Sequence, residues 1–80
     1  MKKLANIERI IIKRMLEARK SYDYFMENKC DRCAFENAAR FKEDVSLLYH
    51  ADVINNIQFD LLYNLGHRMY ITALNNTYIR

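Results

Sequence analysis

Any fold of this chain has to accommodate Ile57–Leu74, because on a helix this stretch is apolar on two sides. At about 100° per residue, Gln58, Leu61, Leu62, Leu65, Met69 and Ala73 fall on one broad stripe, the expected core face. Phe59, Tyr63, His67, Tyr70 and Leu74 follow at steps of four, four, three and four, and form a second stripe on the opposite side. Apart from His67, the only titrating charges in the stretch are Asp60 and Arg68. A helix that is apolar nearly all round is buried on both sides. The aromatic stripe is therefore expected to be a protein interface, covered by a second copy or another partner. The alternative is that it packs within the chain, against Ile10, Ile12 or Leu47.

The rest of the chain sets the class. Eighty residues make one domain, 1–80, and a chain of this size buries only about 60–65% of its unfolded surface. One glycine and no proline leave too few turn formers for a β fold, and 51% hydrophobic residues exclude a disordered linker. The expected class is all-α, a three-helix antiparallel bundle that self-associates.

The first helix is expected over about Lys3–Asn28, with a seam of Leu4, Ile7, Ile11, Met15, Ala18, Tyr22 and Phe25 at heptad-like steps. After a break at Glu27–Asp31, where Asn28 or Asp31 can cap the next helix, a second runs over about Arg32–Ala51. Its seam is Ala34, Ala38, Phe41, Val45 and Leu48. Asp52–Asn56 is the second break, with Asn55 or Asn56 capping the third helix. Gly66 either splits that helix or sits within it and permits a close backbone contact. Because the stripes stay in phase across Gly66, a continuous helix is expected, with residues 75–80 frayed.

Cys30-Asp31-Arg32-Cys33 is a C-x-x-C motif, the spacing of half a zinc site or a redox pair. His50 lies about 25 Å along the same helix and His67 about 10 Å or more short of the cysteines, so a zinc site would need four cysteines from two chains. A helix start beside Lys29 and Arg32 favours the thiolate, as redox chemistry needs. The plain reading is two reduced cysteines at a helix junction, and no metal or cofactor is assigned. No nucleophile, base and orienting group come together, and no Gly-rich phosphate loop is present, so the chain is not expected to be an enzyme. Glu36, Glu43 and Asp44 read as a solvated face. Asp52 reads as a helix end, with a buried residue that fixes the register as the alternative.

Charge is unevenly placed. Residues 1–20 carry seven Lys/Arg and two Glu, a net +5, while residues 21–80 carry a net −2. Lys2, Arg9, Lys13 and Lys20 form a ridge along the first helix, a candidate nucleic-acid contact. No apolar run approaches the roughly 18 residues of a membrane span, and the N-terminus lacks the long apolar region of a signal peptide, so a cytoplasmic location is expected. The resulting expectation is a small interaction protein, a homodimer that modulates another macromolecule as a regulator or inhibitor. Size and an Ile-, Asn-, Lys- and Tyr-rich composition suit a bacterial, phage or mobile-element source. The competing reading is a small nucleic-acid-binding protein.

Overall fold

The computed structural model describes the backbone of residues 5–79 and the side chains of residues 5–77. Three helices run up, down and up: α1 Asn6–Glu27, α2 Asp31–His50 and α3 Asn56–Ile79. Helix α2 packs against both neighbours, whereas α1 and α3 meet far less. A closed triangle of helices at the usual 8–10 Å axis spacing would be about equally wide in both directions across the axes. This molecule measures 46 × 21 × 14 Å. It is an opened bundle, a trough floored by α2.

Both turns follow from how the preceding helix ends. At the end of α1, the amide of Lys29 donates to the Met26 carbonyl (3.2 Å) and that of Cys30 to the Phe25 carbonyl (2.8 Å). At the end of α2, Asp52 donates to Tyr49 (3.1 Å) and Val53 to Leu48 (2.9 Å). These are two Schellman motifs, with Lys29 (φ 61°) and Asp52 (φ 59°) in the left-handed position that glycine usually fills. Asp52 is thus an exposed helix end, and its alternative as a buried residue fixing the register does not hold. Asn28 closes α1, its Nδ2 donating to the Tyr24 carbonyl (2.7 Å), and Asp31 lies within the first turn of α2, so the N-cap of α2 falls on Cys30. Helix α3 starts as its sequence suggests. The Gln58 amide donates to Asn55 Oδ1 (2.8 Å) and the Asn55 amide to Gln58 Oε1 (2.9 Å), a reciprocal capping box.

The α2 seam is the centre of the core: Ala34, Ala38, Phe41, Val45 and Leu48 are all buried. On α1, Met15, Ala18 and Tyr22 are buried with Ile11 and Phe25 packed beside them, while Ile7 is exposed and Leu4 lies outside the described residues. Helix α3 is continuous through Gly66. Its buried residues are Met69 and Ala73 of the expected core stripe and Gly66, which lies between the two stripes, so α2 docks toward the line where the stripes meet. Leu62 and Leu65 are half-buried, but Leu61 and Gln58, expected in the core, are exposed. Residues 75–79 were expected to fray. Instead the helix continues to Ile79, with the Thr77 hydroxyl donating to the Ala73 carbonyl (2.9 Å) and Leu74 and Thr77 beside Phe35 of α2.

Glycine is required at position 66 because a Cβ there would stand 2.8 Å from Phe41 Cδ1 and 2.8 Å from Lys42 Cγ. Asp44 corrects the expectation of a solvated acidic face. Its side chain is 0% exposed, and Oδ1 accepts from Arg14 Nη2 at 3.1 Å, with the Arg14 side chain 50% exposed. Among the described residues, Oδ2 is buried with no hydrogen-bond partner. Burial pushes the Asp44 carboxyl above its ordinary range, and Arg14 offsets this only in part.

Two stability outcomes are expected in urea unfolding. Gly66→Ala gains about 1 kcal/mol of helix propensity but overpacks a ring that cannot move away, for a net loss of about 1–2 kcal/mol. Arg14→Ala costs about 1–2 kcal/mol, reduced from a fully buried pair by the exposure of Arg14, and adding Asp44→Asn restores part of that loss by removing the uncompensated charge. Because folding raises the Asp44 pKa, its contribution to stability is greatest at acid pH and is lost as pH rises through the raised value. Measured from pH 3 to 7, wild type should therefore lose stability relative to Asp44→Asn.

Candidate interaction surface

The aromatic stripe of α3 lies against α2 of the same chain. Phe59 packs on Tyr49 (ring centroids 4.4 Å) and on Tyr63 (5.2 Å), and Tyr70 packs on Phe35 (4.3 Å). Lys42 runs between these rings, its Nζ 5.1 Å from the Tyr63 centroid and 4.7 Å from that of Tyr70, the arrangement of a cation–π contact. The same ammonium donates to Nδ1 of His67 at 3.3 Å, which uses the imidazole as an acceptor. Phe59, Tyr63, Tyr70 and Leu74 are half-buried and His67 is exposed. These contacts engage the stripe with Phe35, Lys42 and Tyr49, not with Ile10, Ile12 or Leu47. An alternation of aromatic and long cationic side chains on α2 was the signal for this. Phe35, Lys42 and Tyr49 recur every seven residues on one flank of the Ala34–Leu48 seam.

Large apolar side chains are left exposed elsewhere. Ile7 and Ile10 lie in the first two turns of α1, Leu47 in the last turn of α2, and Ile57 and Leu61 in the first two turns of α3. The up-down-up order brings all five to one end of the molecule. Ile57 and Leu61, one turn apart on the same side of α3, are the most exposed α3 aliphatics among the described residues, at 72% and 68%. Sequence periodicity placed Leu61 in the core and Ile7 in a seam. Leu61 lies about 120–140° around α3 from the buried Gly66 and Ala73, and Ile7 lies in the first turn of α1.

Of the cationic ridge, Arg9, Lys13 and Lys20 are exposed on the outer side of α1, and Lys2 lies outside the described residues. Exposed Leu16 and Tyr24 lie along the same outer surface. Cys30 and Cys33 are joined as a disulfide at the start of α2. Among the described residues, no cluster of three or more His, Cys, Asp or Glu is arranged to hold a metal ion, and no helix is long and apolar enough to cross a membrane.

Comparison with protein-family models, with curated proteins and with solved structures returns no match for this chain. The geometry is therefore the whole basis for a functional reading.

Because Tyr70 packs on Phe35 and Lys42, truncating it should weaken the fold itself. Tyr70→Ala is expected to lower unfolding stability by roughly 1–3 kcal/mol, less than a fully buried aromatic would. Chemical denaturation followed by circular dichroism reads this directly, and an unchanged midpoint would free the stripe for another role.

Proposed function

We propose that this chain is a non-enzymatic helical interaction protein that self-associates as a homodimer and modulates another macromolecule, as a small cytoplasmic regulator or inhibitor. The carrying observation is the exposed aliphatic group Ile7, Ile10, Leu47, Ile57 and Leu61, gathered from three helices at one end. Large apolar side chains left exposed at one end of a small protein suit an interaction site. The sequence reading assigned the interface to Phe59, Tyr63, His67, Tyr70 and Leu74. The proposal moves it to the opposite flank of α3 and the helix ends beside it, because the rings already have partners within the chain.

A second reading rests on Arg9, Lys13 and Lys20, which are exposed along one side of α1 and suit phosphate contacts in a nucleic acid. Dimerisation would present two such ridges. Charge reversal by Arg9→Glu and Lys13→Glu would abolish binding to a labelled duplex on this reading and leave an apolar interface intact.

Sedimentation equilibrium of the reduced protein tests the main proposal. Wild type is expected to be a dimer at micromolar concentration, and Ile57→Ser/Leu61→Ser a monomer with an unchanged helical spectrum, since both side chains are already exposed. A wild-type monomer throughout, or a dimer indifferent to the double substitution, would overturn it.

A further inference from the structure

The cysteine pair has no part in the apolar end, being at the opposite end of α2, where α1 turns into it. Its surroundings are those of a reactive thiol rather than of a staple. The backbone between Phe25 and Cys30 is already fixed by the Schellman hydrogen bonds, and the core seam of α2 begins only at Ala34. A bond between residues three apart closes one of the shortest rings a disulfide can make, and the loop entropy it removes is correspondingly small. The fold does not need it.

Cys30 occupies the N-cap of a 20-residue helix. This is the position from which a side-chain acceptor takes the free amides of the first turn, here those of Arg32 and Cys33. A thiolate at Cys30 can accept those hydrogen bonds, and the positive end of the helix dipole stabilises its charge. Lys29 precedes it and Arg32 follows, both exposed, while Asp31 is turned into the protein. Cys33, one turn along, is already within bonding reach of Cys30, with Cα atoms 5.4 Å apart. Both cysteines are half-buried, so each retains access to solvent.

We propose that Cys30 and Cys33 form a thiol–disulfide exchange site that is oxidised and reduced by low-molecular-weight couples of the glutathione class. In the oxidising direction, the Cys30 thiolate attacks a disulfide RSSR, forming a Cys30–SR bond and expelling one RS⁻. The Cys33 thiolate then attacks Sγ of Cys30, forming the intramolecular disulfide and expelling the second RS⁻. The two protons released by the cysteines end on two RSH. The protein loses two electrons and RSSR gains them, and the reverse sequence restores the dithiol. In a compartment that keeps thiols reduced, a disulfide of this kind is transient by nature. The apolar end, 20 residues away along α2, is not required for the reaction.

The test equilibrates the full chain in mixtures of reduced and oxidised glutathione, quenches with acid, alkylates, and reads dithiol, disulfide and mixed disulfide by intact mass. The protein should pass from mostly disulfide to mostly dithiol within a roughly 1,000-fold range of glutathione poise, with the same helical spectrum at both ends. Cys33→Ser should accumulate a glutathione adduct on Cys30 at least about 10-fold faster than Cys30→Ser accumulates one on Cys33. The wild-type titration stands whether or not either variant folds. A disulfide that resists millimolar reductant until the protein is unfolded would overturn the proposal. So would thiols that stay free in excess oxidised glutathione, or oxidation that links only separate chains.

Discussion

The contact between the Phe41 ring and the bare backbone of Gly66 sets how close α3 lies to α2, and the rest of the α3 side depends on that distance. With the backbones close, Met69 and Ala73 reach the core on one side of the contact line, and Tyr63 and Tyr70 close over Lys42 on the other. A helix with two apolar stripes is accommodated without a second layer, because its partner packs on the line between them. The chain has a single glycine, so only one alignment of α3 on α2 allows this approach.

The α1 side is aligned by charge. Asp44 is wholly enclosed, and among the described residues its ion pair is with Arg14, 30 residues away in the chain across the hairpin. A shift of α1 by one turn would separate the pair and leave a carboxylate buried without compensation, which is far costlier than the pair itself. The two faces of α2 thus solve the same problem by opposite means, a missing side chain on one and an enclosed charge on the other. Tyr22, buried on α1, lies within electrostatic reach of the Thr72 side chain on α3, and burial raises its phenol pKa above the ordinary range.

Much of this was legible in the residues. The α2 seam could be read because five small or bulky apolar residues recur at heptad steps and all five are buried. The breaks near residues 28–31 and 52–55 followed from clustered polar residues, and Asn55 was readable as a cap from its own chemistry. Asp44 was missed because a charge on a helix is assumed to face water, yet it lies only about 40° around α2 from Leu48. On α3 the core stripe was legible in Met69 and Ala73, which are buried, but was drawn too wide, since Gln58 and Leu61 are exposed. Periodicity gives the angular position of each residue but not the direction from which a neighbour arrives, and Gly66, which marks that direction, carries little hydrophobic signal. The exposed group at the far end depends on which side of each helix its neighbour covers and on the up-down-up order, which no single helix encodes.

The sparse contact between α1 and α3 also bears on how the chain reaches this shape. Each outer helix forms a hairpin with α2, joined by a short turn, so the structure consists of two overlapping hairpins that share one strand of core. Either can assemble first from local contacts, and the second then adds onto a preformed α2 surface. In the native state the same arrangement lets one wall open while the other stays docked, giving two partially unfolded forms whose backbone protection is layered rather than uniform.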